Sequence, residues 1–378
     1  MRLERIKNLN IEMLQAKPDS IGYKIMKDKT QVLGFNIANL KLQAMQILKQ
    51  EALSIGAELV TPRDAILCRK KAYDCMLFGT PKALKLLVIK IQMQPFGLKA
   101  LGKELKHFLK PYHERKKMIM SVVNVDSQSF YKHFNATDAI QEIYRNIELG
   151  ADIIDIGAVS TQPNAPFIEA KVELKRLEPI FKEITTINNK PQFSIDTYNK
   201  EVAKIALECG FTMINDVSGK PENMLEILQQ YPNATYILTH TRGGPNTMHK
   251  YCEYKNLILD IDKFFTEQLR MLDKHSCKNI ILDVGIGFAK TFEQNIELIA
   301  KLAHFKHFHK PLLIGASHKS FLRKILKSDN KKQLEASLIA HFIALQNGAD
   351  IIRVHDLESH QIMLQLYHSF QMNDLDIL

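Results

Sequence analysis

Eight short apolar runs between residues 118 and 356 carry polar side chains at or near their ends. In order these are Asn124, Asp155, Asp196, Asn215 with Asp216, His240 with Arg242 just beyond, Asp283, Ser317 with Lys319 just beyond, and Arg353, His355 and Asp356. Carboxylates and amides can pair with the donor and acceptor edge of a flat heterocycle, whereas Lys, Arg and His neutralise an anion such as phosphate. Together they predict a pocket for a polar heterocycle that carries phosphate. A plainer reading stands beside each residue, because an Asp or Asn at a strand end often caps a helix or orders a turn. Asp155 and Asp216 are read that way, and His240 reads equally as a packed core histidine. Arg353 and His355, two apart on a strand, share one face, which favours joint anion binding. "FKHFHK", with His307 and His309, reads as a solvated helix end, and no two histidines have ligand spacing that would face the site.

The runs that must position these groups are "MIMSVVN" (118–124), "ADIIDIG" (151–157), "QFSIDT" (192–197), "FTMINDV" (211–217), "TYILTH" (235–240), "NIILDVG" (279–285), "PLLIGAS" (311–317) and "ADIIRVHD" (349–356). Amphipathic stretches such as "NKEVAKIALECG" separate them, each closed by the Gly that favours a helix C-terminus. Strands alternating with helices imply a parallel sheet, and eight such units in this length suit a closed eight-stranded βα (TIM) barrel, whose active site lies at the C-terminal strand ends. A doubly wound open sheet is the competing architecture. No G-x-G-x-x-G follows the first run, so the dinucleotide fingerprint is not met.

Ahead of the barrel the pattern changes. "TQVLGFNIANL", "AELVTP" and "DCMLFGT" read as strands, with helical "KLQAMQILKQEALSIG" and "PKALKLLVIKIQMQ" among them and Lys-rich "LGKELKHFLKPYHERKK" as helix and linker. The reading is a small α/β lobe over residues 1–117 and a barrel domain over 118–378. Residues 1–117 hold 23 Lys and Arg against 10 Asp and Glu, leaving 28 against 31 for the remainder. Basicity confined to the front could attract polyanions, but without aromatic interleaving or a motif it reads as a solvated surface, and no specific nucleic acid is expected.

In the whole chain of 378 residues, 46% hydrophobic and 24% charged content is that of a globular protein. No apolar run reaches the roughly 18 residues of a spanning helix, and the N-terminus lacks a signal-peptide pattern, so a cytoplasmic protein away from membranes is expected. Five scattered cysteines without C-x-x-C spacing indicate neither a disulfide framework nor a cysteine zinc site.

The barrel segments also resemble dihydropteroate synthases, in that family's order: "NV…SF" (124–130), "GADIIDIG.VST.P.A" (150–165), "SIDTYNKEVAKIALECG" (194–210), "INDVSG" (214–219), "H.RG.P.TM" (240–248), "ILD.GIGF.KTFE.N" (281–295), "PLLIG.S.KSF" (311–321) and "GADIIRVHD" (348–356). The resemblance implies a transferase of folate biosynthesis, a target of sulfonamides, that joins 6-hydroxymethyl-7,8-dihydropterin diphosphate to p-aminobenzoate. It implies that Asp196, Asn215 and Asp283 bond the pterin's aminopyrimidine edge and that Lys319 lies beside its ring. Asn124, Arg353 and His355 would form the diphosphate site, with Mg²⁺ near Asn124, and Thr161 and Ser317 would lie near p-aminobenzoate. Lys319, Asp283, Arg353 and His355 would be the catalytic set, and a homodimer through barrel helices is implied.

Departures from the family pattern fall in the loops. "NVDSQSF" puts Asp126, Ser127 and Gln128 where Thr, Pro and Asp are usual, Gln162 replaces an Arg, Asn164 a Gly, Val284 a Pro and His318 an Arg. Two further readings are a pterin-dependent methyltransferase, against which the diphosphate residues argue, and, from these departures, a pterin-binding homologue without condensation activity.

Overall fold

The computed structural model describes residues 9, 13, 16–125, 135–158, 168–188, 191–244, 247–326 and 332–373. The chain forms two units, one of residues up to Tyr112 together with those from His368 on, the other His113–Tyr367. The second unit starts just ahead of Lys117 because the residues leading into its first strand are already tied to it. Glu114 pairs with Lys306 at 2.9 Å and Arg115 donates to the carbonyl of His309 at 2.7 Å.

In the first unit α1 (Ser20–Lys27) is capped by Asp19, whose carboxylate accepts from the backbone of Ile21 and Gly22. There follow β1 (Leu33–Lys41), α2 (Leu42–Leu53), β2 (Glu58–Val60), β3 (Ala72–Gly79), α3 (Pro81–Ile91) and α4 (Leu98–Phe108). β3 is central and antiparallel to both β1 and β2. Its alternate residues Tyr73, Cys75, Leu77 and Gly79 are buried, the two-residue period of a half-covered sheet. Leu48 of α2, Leu84, Leu87 and Ile91 of α3 and Leu98 of α4 belong to the same buried core. α3 begins on the Thr80 hydroxyl, which accepts from the Ala83 backbone, with Pro81 in the first turn.

The second unit is a closed parallel barrel in which each strand neighbours the next and the last returns to the first. Its strands are β4 (Met118–Asn124), β5 (Ile153–Gly157), β6 (Gln192–Asp196), β7 (Met213–Asp216), β8 (Thr235–Thr239), β9 (Ile280–Asp283), β10 (Leu312–Ile314) and β11 (Ile351–Val354). Between them run α5 (Ala136–Glu148), α6 (Ala170–Thr186), α7 (Lys200–Glu208), α8 (Leu225–Gln230), α9 (Leu257–Lys274), α10 (Phe292–Ala300), α11 (Ser320–Ile325) and α12 (Gln333–Gln346), with α13 (Leu357–Asn373) after β11, its residues up to Tyr367 belonging to this unit. The main core lies between strands and helices. A second apolar layer, including Met120, Ile153, Met213, Ile237, Leu313 and Ile351, plugs the barrel interior, so polar groups above it rest on a dry floor.

One sequence, Gly-Ala-Asp-Ile-Ile, occurs twice, at 150–154 and 348–352, and does the same work each time. The Gly adopts positive φ after a helix (76° at Gly150, 103° at Gly348). The Asp then reaches the neighbouring strand: Asp152 accepts from the Ile119 backbone at 3.0 Å and Asp350 from that of Leu312 at 3.0 Å. Asp350 also pairs at 3.2 Å with the buried ammonium of Lys117. These residues sit at the N-terminal strand ends, where barrel residues serve stability.

His307 is not a solvated helix end. It lies in a 3₁₀ turn, Leu302–Phe308, is buried, and meets Asp262 of α9 at 2.5 Å.

Candidate active site

Strand register assembles the polar ends into one place. Asn124 is opposite Gly157, Gly157 opposite Asp196, and Asp196 opposite Asn215, so four successive strands present one lateral row. Gly157 is the gap in that row. A Cβ there would stand 3.2 Å from the Cβ of Asp196, tighter than such contacts normally are.

Arg353, on β11, reaches across the barrel. Its Nε donates to Asp155 at 2.7 Å and its Nη2 to Asp196 at 2.6 Å, while Asn215 Nδ2 donates to the same Asp155 oxygen at 2.9 Å. Asp155 therefore does not cap a helix, as its position near a strand end suggests. It is fully buried among the site residues. Two-residue alternation gives the reason, since Asp155 shares the inner face of β5 with Ile153. The other oxygen of Asp196, Oδ1, is buried with no hydrogen-bond partner. Burial pushes this carboxyl up to about 7, against the pull of Arg353. Asp216 points elsewhere: it accepts from the Ser218 backbone and from the Tyr236 hydroxyl, both at 2.8 Å.

On the opposite wall Asp283 ends β9 and accepts from the backbone of Gly285 at 2.8 Å. Only glycine fits at 285, where φ is +71° and a Cβ would lie 2.0 Å from the His240 carbonyl oxygen. Lys319 stands over the Phe288 ring, 4.5 Å from its centroid, close enough for a cation–π contact. Burial lowers its ammonium to about 8, with Arg353 acting in the same direction and the charges of Asp283 and Asp196 opposing. Burial, then Arg353, bring His355 down to about 3, so its ring is neutral.

The turn carrying Ser317 and Lys319 is braced from behind. The Ser317 hydroxyl accepts from the His355 backbone at 3.2 Å, and His318, at φ +53°, meets Asp356 at 2.5 Å. Behind it the Ala316 N–H donates to His341 Nε2, His341 Nδ1 lies 2.9 Å from His360 Nε2, and His360 Nδ1 lies 2.7 Å from the Asp356 carbonyl. One tautomer of each ring completes that chain, and burial lowers both rings' basicity.

Two groups carry no clear signal in the sequence. Lys290 is buried, 3.1 Å from His240 Nδ1 and 2.8 Å from the Phe288 carbonyl, and burial lowers its ammonium to about 7. Glu173 of α6 is buried, with Oε2 accepting from Asn199 at 2.6 Å and Oε1 unpartnered. His240 is a packed histidine, 4.9 Å from the Phe264 ring, and Arg242 is engaged by the Tyr254 ring, the Glu253 carbonyl and Asp260. Thr161, Asp126, Ser127, Gln128, Gln162 and Asn164 lie outside the described residues.

Residues 120–355 match the family model described as "Pterin binding enzyme". A bifunctional dihydropteroate synthase/dihydropteroate reductase of Helicobacter pylori is 41% identical over 98% of this chain and all of its own length. The chain belongs to the dihydropteroate synthase family. A dihydropteroate synthase of Synechocystis is 40% identical over 64% of this chain and 86% of its own. A Yersinia pestis dihydropteroate synthase crystallised with a sulfonamide drug superposes with a TM-score of 0.65 at 29% identity, covering 68% of this chain and 95% of that one. The enzyme is thus a transferase of folate biosynthesis. It condenses 6-hydroxymethyl-7,8-dihydropterin diphosphate with p-aminobenzoate, giving 7,8-dihydropteroate and pyrophosphate.

Proposed function

We propose that the strand-end row and its opposite wall divide the two halves of the pterin substrate between them. Asp196, Asn215 and Asp283 take the aminopyrimidine edge, and Lys319 lies beside the ring. Arg353 and His355, with Asn124, take the diphosphate, while Ser317 and Thr161 border p-aminobenzoate. The observation that carries this reading is the unpartnered Asp196 Oδ1, a buried acceptor beside Asn215. Such a group costs free energy unless a ligand donor satisfies it.

Mg²⁺ fits as an ion arriving on the diphosphate rather than one caged by protein. Asn124 offers a single neutral oxygen, and among the described residues the site holds no cluster of three carboxylate, His or Cys ligands. When bound it would neutralise phosphate charge. The chain's own residues then do the following. They hold the exocyclic methylene for attack by the arylamine nitrogen, so that a C–N bond forms as the C–O bond to diphosphate breaks. Arg353 and the neutral His355 supply donors to the departing oxygens. The arylamine's surplus proton leaves to solvent or to the released pyrophosphate.

Pyrophosphate release measured with and without p-aminobenzoate tests the scheme. Release should require both substrates and Mg²⁺, a sulfonamide should compete with p-aminobenzoate, and Lys319→Ala should lower kcat/KM by about 10²–10³-fold, the usual cost of one charge-stabilising donor. Unchanged kcat/KM in Lys319→Ala would remove Lys319 from the site. The chain is further proposed to act in the cytoplasm as a homodimer through barrel helices. Ile339 and Ile343 of α12 and Ile362 and Leu366 of α13 are exposed on the protomer, and the two helices already pack through Phe342 and Tyr367.

A second activity, reduction of dihydropteroate, is favoured by one observation. The match to the bifunctional Helicobacter pylori relative runs over essentially the whole chain, front unit included, whereas the Synechocystis synthase matches 64% of it. The reaction needs a hydride and a proton, so the test supplies dihydropteroate with reduced nicotinamide or reduced flavin. Donor oxidation matched by tetrahydropteroate formation is expected, and neither donor being consumed would overturn the assignment.

A further inference from the structure

Away from the pterin pocket, two histidines and one carboxylate converge on the outer helical layer. Asp262 projects from α9, and His304 and His307 come from the 3₁₀ turn that leads into the N-terminal end of β10. The pocket is built at the opposite, C-terminal strand ends. In a 3₁₀ turn residues i and i+3 eclipse, so His304 and His307 stand one above the other, their ring centroids 5.3 Å apart. Both Nε2 atoms address the same oxygen, Asp262 Oδ2, at 2.9 and 2.5 Å. The three candidate ligand atoms all lie within 4.8 Å of one another.

We propose that Asp262, His304 and His307 form a zinc site that clips α9 to the segment entering β10. Two imidazoles and one carboxylate form a donor set that suits Zn²⁺ better than Mg²⁺ or Ca²⁺, which favour all-oxygen shells. Zn–ligand lengths of about 2.0–2.1 Å put tetrahedral ligand atoms about 3.3 Å apart. From 2.9 and 2.5 Å the two Nε2–Oδ2 separations need to open by about 0.4 and about 0.8 Å, which side-chain rotations supply. The side chains of His304 and Asp262 are 23% and 21% exposed and that of His307 7%. An ion can therefore enter from solvent and keep a water in its fourth position. The competing account is a hydrogen-bonded Asp–His–His group that binds no metal.

The full chain, free of any tag and stripped of metal, is loaded with Zn²⁺, gel-filtered and analysed for metal. One Zn²⁺ per chain should be retained and the thermal midpoint should rise, while pyrophosphate release stays unchanged. Asp262→Asn, which keeps the side chain's shape, and His304→Gln should each weaken Zn²⁺ binding at least tenfold, whereas His309→Gln should not. Co²⁺ loaded in place of Zn²⁺ should give the intense visible bands of a tetrahedral site, absent in Asp262→Asn. If folded wild type retains no Zn²⁺, or retains as much after Asp262→Asn and His304→Gln, the site is a hydrogen-bonded group only and the proposal falls. His307→Gln adds a third reading of the same outcome, and circular dichroism verifies that each variant is folded.

Discussion

Asp196 and Lys319 feel one another's charge inside the pocket, and burial draws their acidities together, the carboxyl up to about 7 and the ammonium down to about 8. A pterin edge that donates two N–H groups needs the ionised carboxylate, so condensation should weaken as pH falls through about 7. Lys319 contributes only as a cation, so activity should also fade as pH rises through about 8. The pH profile of kcat/KM should therefore be a narrow bell. Lys319→Arg, always charged, should extend its alkaline side, and an unaltered alkaline limb would assign that limb to another group. The sequence already placed Asp196 and Asn215 at the ends of successive runs, and the register sets them side by side. Asp155 was harder to read. Being third in a five-residue strand says which face it occupies but not that Arg353, 198 residues away, will meet it there. Lys290 stands in the matched segment "ILD.GIGF.KTFE.N", yet nothing there tells of its burial, which depends on the way the loop after β9 folds back over His240.

At the scale of elements, the loop after β9 depends on Gly285. Gly285→Ala would drive a methyl group into the His240 carbonyl and force a left-handed alanine, itself a cost of about 1–2 kcal/mol. Urea unfolding should register at least that loss. Pterin affinity should drop with it, because the Gly285 N–H anchors Asp283; full retention of affinity would mean that Asp283 is held by other contacts. All eight barrel strands were legible from their β-branched runs, yet the runs overstate the ladders. "PLLIGAS" spans 311–317, but β10 ends at Ile314. Beyond it the chain turns toward left-handed His318. Apolar content records burial, whereas strand length records pairing. The 3₁₀ turn at 302–308 is hard to read for a related reason: its three-residue period buries His307, while composition alone suggests a wet surface.

For the whole molecule, the expected dimer gives a direct measurement. Ile343 is 41% exposed on the protomer, and Ile343→Asp, which sets a charge among the exposed apolar residues of α12 and α13, should shift sedimentation from dimer to monomer with little loss of protomer stability. A protein that is monomeric before the substitution would place those residues outside any dimer contact. The front unit's separate α/β character and basicity were plain in the sequence, but its sheet order was not, because which strand lies in the middle is decided by packing against the helices. The barrel's closing seam has a kinetic consequence. Lys117 and Asp350 precede the first and last strands, 233 residues apart, and their ammonium and carboxylate are both nearly inaccessible to water. A contact of that span carries a large loop-closure cost, so it is expected to form late in folding. Asp350→Asn should therefore leave the refolding rate nearly unchanged and speed unfolding, which makes this ion pair a determinant of how long the folded enzyme lasts.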